Sequence, residues 1–117
     1  MKRSPTARGK TTMRRAELWW ADLPPPEGHR PVLLLSRDAA YLTRDLIIIT
    51  PVTTRVRRIP TEVALGPEEG LRRASVANLD TIQMIAKWRL QERIATLSPQ
   101  KLQALDAALR FALGLEE

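Results

Sequence analysis

The sequence contains no cysteine and a single histidine, His29. The absence of cysteine excludes disulfide bonds, a thiol nucleophile, iron–sulfur clusters and zinc sites built on thiolates. With one histidine, the two-histidine zinc motif HExxH and acid–base pairs of two imidazoles are excluded as well. An enzyme with this sequence has to act through arginine, hydroxyl groups, carboxylates and at most one imidazole.

Long apolar runs are also absent. No segment approaches the roughly 18 consecutive apolar residues of a membrane-spanning helix, and no apolar signal region follows the basic start of the chain. We therefore expect a cytoplasmic protein without a membrane partner. The 117 residues are enough for one domain with one modest core.

Positive charge is concentrated at the beginning of the chain. The 19 basic and 13 acidic residues give a net charge of +6, and six of the basic residues lie within residues 1–15, which contain no acid. The rest of the chain is therefore neutral. We predict a basic disordered tail over residues 1–13 and a folded domain over residues 14–117. Such a tail either stays solvated or binds nucleic acid or anionic lipid through its charge.

Three strands are predicted in the first half of the chain. Residues 17–23 form an apolar-rich run that ends at consecutive prolines, which cannot donate ladder hydrogen bonds. Residues 31–36 form a continuous apolar run typical of a strand buried on both faces. A polar connection with a short helical turn over residues 37–44 precedes residues 46–52, which are rich in β-branched side chains. Pro51 within this third strand indicates a sheet edge or a bulge.

Short strands continue through the second half until the pattern changes. Strands are predicted over residues 61–65, 74–82 and 92–97, with a turn at residues 66–70. Ser98 then has the character of a helix N-cap, with Pro99 at the first helical position.

The segment after Ser98 has helical periodicity. Its apolar residues share one face, and Gly114 is placed for a C-terminal cap; the face consists of Leu102, Leu105, Leu109 and Ala112. Five or six short strands followed by one helix predict a mainly β fold with α content (α+β). The expected architecture is a small antiparallel barrel with the C-terminal helix packed on it.

Polar side chains cluster next to the second and third predicted strands. Glu27, His29 and Arg30 precede the second strand, and Thr53 and Thr54 follow the third. If the two strands are neighbours, both groups meet at one end of the barrel. The planar guanidinium of Arg30 fits two phosphate oxygens, and RNA carries an internal nucleophile in its 2′-OH, so this set suits RNA cleavage. Such residues also occur in purely structural roles, and their spacing alone leaves both interpretations open.

Arginines and tryptophans supply further candidates for RNA contacts. Arg55, Arg57 and Arg58 form a basic run beside the threonines, which is either a solvated loop or a contact for RNA phosphates. Trp19 and Trp20 point to opposite faces of the first strand, so we expect one in the core and the other at the surface. Stacking on a base and contact with a second subunit are alternatives for the surface tryptophan.

Several segments, in order, resemble the MazF/PemK (Kid) family of toxin endoribonucleases over residues 14–115. The matching segments are 17–23 (ELWWADL), 28–36 (GHRPVLLLS), 51–54 (PVTT), 60–63 (PTEV) and 75–80 (SVANLD), followed by the terminal helix. The resemblance implies an SH3-like barrel of the CcdB–MazF type that forms a homodimer. It also implies sequence-specific cleavage of single-stranded mRNA without metal or other cofactor, leaving 2′,3′-cyclic phosphate and 5′-OH ends.

The resemblance also assigns roles to residues and predicts a partner. It implies catalytic roles for Arg30 and Thr53, a proton-carrying role for His29 and a phosphate contact for Thr54. The implied partner is a MazE-like antitoxin whose acidic, initially disordered segment fills the RNA groove.

The first loop departs from the family pattern. Family members commonly have a longer loop of the type Gly-Ser-Glu-Gln, whereas residues 24–27 here are shorter and contain three prolines. The shorter loop changes the surroundings of Glu27, which we count among the RNA-binding residues. It also prevents transfer of a cleavage sequence from other members.

Two other functions fit the same fold. A gyrase poison of the CcdB type has a related barrel and usually a C-terminal tryptophan, whereas this chain ends Gly-Leu-Glu-Glu. A non-catalytic barrel that binds RNA or protein is the other alternative, and the presence of both Arg30 and Thr53 at the matched positions disfavours it.

Overall fold

Seven antiparallel strands and two α-helices are present within residues 12–115, the part of the chain that the computed structural model describes. The strands are β1 (Glu17–Asp22), β2 (His29–Leu34), β3 (Leu46–Thr53), β4 (Glu62–Leu65), β5 (Ser75–Asn78), β6 (Gln83–Ala86) and β7 (Leu90–Thr96). The helices are α1 (Ala40–Thr43) and α2 (Pro99–Ala112), and three short 3₁₀ turns lie at Pro67–Glu69, Leu79–Thr81 and Lys87–Arg89.

The strands form one curled sheet in the order β4-β5-β3-β2-β1-β7, with β6 also paired to β3. All pairs are antiparallel. The outermost strands β4 and β7 do not pair with each other. The predicted α+β class with a packed C-terminal helix is confirmed, and the barrel is a half-barrel that stays open on one side.

Apolar side chains pack on both faces of the sheet because successive strand residues point to opposite sides. One cluster lies under α2 and includes Leu18, Leu33, Val52, Ala77 and Leu105. The other lies on the opposite face and includes Trp19, Val32, Leu34, Tyr41 and Ile47. The second strand is therefore buried on both faces, as its continuous apolar run predicts.

The terminal helix has the predicted caps. The Ser98 hydroxyl accepts a hydrogen bond from the Lys101 main-chain N–H at 3.2 Å. After the last turn, Gly114 adopts a positive φ of 72°, and the Leu115 N–H donates to the Arg110 carbonyl at 2.8 Å. Only glycine enters this left-handed conformation without steric cost, so Gly114 ends the helix where the sequence predicts.

The start of the second strand and the place of Pro51 in the third differ from the prediction. The second strand begins at His29 rather than at residue 31, because β1 pairs with it through Asp22 opposite His29 and Ala21 opposite Arg30. The third strand crosses Pro51 in the sheet interior, not at an edge. Pro51 lies between Ile49, the last β3 residue paired with β6, and Val52, the first paired with β5. The missing proline N–H is therefore tolerated at a point where β3 changes partners.

The predicted fifth strand over residues 74–82 is two shorter elements. It ends at Asn78, whose side-chain oxygen accepts from the Asp80 main-chain N–H at 2.9 Å and starts a 3₁₀ turn. The chain then re-enters the sheet as β6, a strand that the sequence analysis missed, and the predicted sixth strand is β7. An asparagine that bonds to its own downstream backbone competes with ladder pairing, which explains the break.

Met13, the last residue of the predicted tail, packs against the folded domain. Residues 1–11 lie outside the described part of the chain, but Met13 is buried in the cluster that contains Trp19. Arg15, two residues further on, forms an ion pair with Asp106 on α2 at 2.7 Å. The folded domain therefore includes Met13.

Within the described residues, neither helix combines the length and the apolar character needed to span a membrane.

Because of Tyr41, the fold is expected to lose stability at alkaline pH. It is the single tyrosine of the chain, it is buried, and its hydroxyl donates to the Ser36 carbonyl at 3.0 Å. Burial raises the pKa of the Tyr41 phenol well above its ordinary value of 10.0. The stabilising effect is therefore complete below about pH 10 and is lost as the pH rises above that value, since the unfolded tyrosine ionises first. Denaturant titrations at stepped pH are expected to show this decline in the wild type and a smaller decline in Tyr41→Phe. Equal slopes of stability against pH in the two proteins would contradict the prediction.

Candidate active site

A cleft of about 260 Å³ opens where β3 changes its partner from β6 to β5. It is bordered by the β1–β2 loop, the end of β3, the loop that follows and the start of β6. Its lining residues are Glu27, Arg30, Pro51, Thr53, Arg55, Arg57, Asn78, Thr81 and Gln83. The antiparallel pairing of β2 with β3 brings Arg30 and Thr53 to the same cleft, as the sequence analysis anticipates for neighbouring strands.

Arg30 is the cation that the sheet itself positions. It lies in β2, is half-buried, and donates from Nε to the Glu27 carbonyl at 3.3 Å. Among residues 12–115, no carboxylate forms an ion pair with it. A guanidinium held through Nε leaves its two terminal nitrogens for an anion such as a phosphate.

Thr53 is the last residue of β3 and is half-buried beside this guanidinium in the cleft lining. Its hydroxyl oxygen accepts from the Arg55 main-chain N–H at 3.1 Å. This bond occupies one lone pair and leaves the hydroxyl hydrogen available to a ligand. Thr53 is therefore oriented as a donor.

Arg55 and Arg57 add exposed positive charge from the loop after β3. The carboxylate of Glu62 holds this loop, because it accepts from the main-chain N–H groups of Arg57 at 3.0 Å and Arg58 at 2.8 Å. The loop directs Arg55 and Arg57 to the cleft, whereas Arg58 does not line it. Within the described residues none of these three arginines has an ion-pair partner.

Glu27 contributes a carboxylate to this basic cleft. Its Oε2 accepts from Gln83 Nε2 at 2.9 Å, which ties the β1–β2 loop to the start of β6. Gln83 thereby holds the carboxylate on the wall, and Arg30 bonds to the main-chain carbonyl of Glu27 instead.

Besides Arg58, two of the predicted site residues lie away from this cleft. His29 neighbours Arg30 in β2, so its side chain points to the opposite face of the sheet and stacks on Trp20, with ring centroids 4.7 Å apart. Thr54 lines a second, smaller cleft with Arg72 and Arg73. Trp19 is buried and Trp20 half-buried, which confirms the expected division of the two tryptophans between core and surface.

The sequence analysis missed three polar residues of the cleft: Asn78, Thr81 and Gln83. The signal is the largely polar stretch of residues 78–81 inside residues 74–82, a segment that the sequence analysis predicts as one continuous strand. Since Asn78 and Gln83 flank that turn, only the break between β5 and β6 brings them to the same wall as the end of β3.

In this mainly β half-barrel, three arginines without an ion-pair partner among residues 12–115 line one cleft with an oriented hydroxyl, a set of groups with the chemistry to bind a phosphate. Among the described residues, no group of three His, Cys, Asp or Glu side chains is arranged to hold a metal ion.

Comparison with known proteins defines the class more closely. The family model of PemK-like, MazF-like toxins of type II toxin–antitoxin systems matches residues 14–113. A curated relative, probable endoribonuclease MazF5 of Mycobacterium tuberculosis, is 34% identical over 100 residues, covering 85% of this chain and 91% of the relative.

Solved structures show the same fold. The Mycobacterium tuberculosis toxin MazF-mt6 superposes with a TM-score of 0.79 and 31% identity, covering 86% of this chain and 99% of that one. An endoribonuclease from a mycobacterial species, solved in complex with its cognate antitoxin, gives a TM-score of 0.78 and 30% identity, covering 90% of this chain and 98% of the other. This chain belongs to the family of PemK-like, MazF-like toxins of type II toxin–antitoxin systems.

Proposed function

We propose that this protein is an endoribonuclease toxin that cuts single-stranded RNA, including mRNA, at specific sequences. The observation that carries the proposal is the joint presence of Arg30 and Thr53 in one cleft, without a carboxylate paired to Arg30 in the described residues. The names of the relatives, which include a probable endoribonuclease and an endoribonuclease with its antitoxin, support it.

The chemistry follows from the groups in the cleft. The 2′-OH of the RNA attacks the adjacent phosphorus, the bond from phosphorus to the 2′-oxygen forms, and the bond to the 5′-oxygen of the next nucleotide breaks. The 2′-OH gives its proton to a base in the cleft, the leaving 5′-oxygen takes a proton from solvent water, and the base then returns its proton to solvent. The products are therefore a 2′,3′-cyclic phosphate and a 5′-OH, and no water is consumed.

Each residue has a task in this step. Arg30 binds the non-bridging oxygens and stabilises the charge that develops on them. Thr53 donates a hydrogen bond to the phosphate or to the attacking oxygen and fixes the geometry of attack. Glu27 is the carboxylate in the cleft lining and accepts the 2′-OH proton. His29, which stacks on Trp20 on the other face of β2, carries no proton in this scheme.

The loop arginines bind the RNA on either side of the reacting phosphate. Arg55 and Arg57 are exposed on the rim of the cleft, where they neutralise neighbouring phosphates and release counterions. Thr54 and Arg58 lie outside this cleft, and we assign them to contacts with the RNA where it leaves the cleft. Positioning and electrostatics supply the catalysis, so we propose that no metal or cofactor takes part.

A MazE-like antitoxin is the proposed protein partner. The unpaired arginines of the cleft would attract an acidic segment that competes with RNA for the same donors. Such a segment that folds on binding can cover the whole groove.

We further propose a homodimer that forms through an apolar patch on the outer side of β3 and β6. The patch consists of Leu46, Ile48, Met84 and Trp88, all exposed; Ile48 and Met84 are directly paired across the two strands. Since the opposite face of the same strand pair is already buried through Ile47 and Ile85, a second copy of the chain is the occupant that would cover this side.

Met84→Asp is expected to convert the dimer into a monomer, because it places a charge at the centre of the β3–β6 patch. Light scattering coupled to size-exclusion chromatography measures the molar mass. Leu113→Asp, at an exposed apolar position after α2, is the control and should remain dimeric. A Met84→Asp protein of unchanged molar mass would place the dimer interface elsewhere.

The test of the proposed activity is incubation of the purified protein with a long RNA in the presence of EDTA. Discrete fragments with 5′-OH ends and cyclic phosphates are expected. Intact RNA across several unrelated substrates would overturn the proposal and favour a gyrase poison or a binding-only barrel, which supercoiling and RNA-binding assays separate.

A further inference from the structure

Asn78 is the cleft residue that the fold holds most firmly. Its side-chain Oδ1 accepts from Thr61 Oγ1 at 3.0 Å and from the Asp80 main-chain N–H at 2.9 Å. Its main-chain carbonyl accepts from the hydroxyls of Thr50 at 2.8 Å and Thr81 at 2.7 Å. Neither the backbone nor the amide plane of Asn78 can turn without the loss of several hydrogen bonds.

These partners also fix which end of the amide is free to bind a ligand. A main-chain N–H can only donate, so the side-chain atom next to Asp80 must be the oxygen. Nδ2 therefore lies on the other side of the amide, and within residues 12–115 it has no acceptor. Since Asn78 lines the cleft and is half-buried, it offers a ligand two N–H donors and no acceptor.

Gln83 has the opposite arrangement on the same wall. Its Nε2 donates to Glu27 Oε2 at 2.9 Å, and a carboxylate can only accept, so the amide orientation is again determined. The oxygen Oε1 has no donor within residues 12–115 and is the acceptor that Gln83 offers to a ligand. The two amides thus offer one fixed donor and one fixed acceptor, both uncharged.

The charged and the uncharged groups of the cleft suit different parts of an RNA. Arg30, Arg55 and Arg57 are suited to phosphate oxygens, whereas neutral donors and acceptors with fixed orientation are suited to base edges. Keto bases present a carbonyl acceptor next to a ring N–H donor. Amino bases present an amino donor next to a ring-nitrogen acceptor, so the order of donor and acceptor is reversed. A donor and an acceptor that cannot exchange places distinguish these two classes.

We propose that Asn78 Nδ2 and Gln83 Oε1 read one base of the bound RNA, next to the phosphate held by Arg30, and thereby set part of the cleavage sequence. This inference rests on the proposed endoribonuclease function. Asn78 and Gln83 are specificity-determining residues in this scheme and take no part in bond breaking.

Asn78→Asp is the variant that tests the assignment. The aspartate keeps an oxygen for Thr61 and Asp80, so the fold should be preserved, but it replaces the donor Nδ2 with an acceptor. The readout is the cleavage profile of an RNA pool with randomised bases around the cut, analysed by sequencing of the fragments. Gln91→Glu, at an exposed position on β7, is the matched control because it makes the same amide-to-carboxylate change outside the cleft.

The wild type is expected to discriminate between keto and amino bases at one position. Asn78→Asp should reduce that discrimination by about ten-fold or reverse it, with other positions unchanged, which is the scale of one good base contact. The Gln91→Glu profile should match the wild type. Gln83→Met, which removes the acceptor without adding charge, should alter the profile at the same position even if Asn78→Asp folds poorly by circular dichroism.

Three results would overturn the inference. An unchanged profile in both cleft variants would show that the amides do not read the base, and a uniform loss of rate for all sequences in Asn78→Asp would indicate contact with the backbone. A wild-type protein that cuts no RNA would overturn the endoribonuclease proposal itself, which distinguishes that failure from the failure of the base contact.

Discussion

Arg30→Ala is expected to lower the rate of RNA cleavage by about 10²–10³-fold, the loss typical of removing one group that stabilises transition-state charge. The structural reason is that Arg30 lies in β2 and lines the cleft, and its only hydrogen-bond partner in the described residues is a main-chain carbonyl. Because it forms no ion pair there, its removal should leave thermal unfolding nearly unchanged. Single-turnover cleavage of a short RNA with one cut site measures the effect on the chemical step.

Matched variants separate charge from geometry at this position. Arg30→Lys keeps the charge but loses the planar fork, so it should recover only part of the rate. Arg37→Ala removes an exposed arginine beyond the other end of β2 and should cut RNA at the wild-type rate. Thr53→Ala should also slow the chemical step, by less than Arg30→Ala, since it removes an oriented donor and no charge. A rate for Arg30→Ala within a few-fold of the wild type would refute the assigned role.

Glu17→Ala is expected to give the largest loss of stability among the polar residues. Its carboxylate is 2% exposed, accepts from Trp19 Nε1 at 2.9 Å and from the Arg14 N–H at 3.0 Å, and pairs with Arg93 at 3.2 Å. Its removal leaves the buried indole N–H of Trp19 without an acceptor and opens a small cavity. We expect a decrease of about 2–4 kcal/mol in the free energy of unfolding, measured by urea denaturation.

The partners of Glu17 should contribute unequally. Arg93 is half-exposed, so water replaces much of its interaction, and Arg93→Ala should cost clearly less than Glu17→Ala. Glu17→Gln keeps an oxygen for Trp19 and should fall between the two. If Glu17→Ala and Arg93→Ala were equally destabilising, the ion pair and not the buried hydrogen bonds would dominate.

The two sets of predictions concern different parts of the sheet. Glu17 and Trp19 stabilise β1 within the cluster that also contains Val32 and Leu34, whereas Arg30 lies at the end of β2 that opens into the cleft. Loss of stability and loss of activity should therefore be separable in these variants.

Local patterns in the sequence determined most of the elements. The β-branched run of the third strand, the continuous apolar run of the second and the capped, periodic terminal segment each specify their structure through nearest neighbours, and all three were predicted near their observed positions. The order of short motifs identified the family. It also indicated that Arg30 and Thr53 lie close together, because neighbouring antiparallel strands bring a loop before one and after the other to the same end.

Strand register and long-range hydrogen bonds set the features of the cleft that local sequence patterns do not specify. Pairing with β1 placed His29 and Arg30 inside β2, and the alternation of side chains then sent His29 to Trp20 and Arg30 into the cleft. Asn78 ended its strand because its side chain bonds to Thr61 and Asp80, contacts that the sequence does not reveal. Local sequence patterns thus specify the elements and the kinds of side chain available. The strand register specifies which of these side chains share the cleft, since a shift of one residue reverses the face of every side chain in a strand.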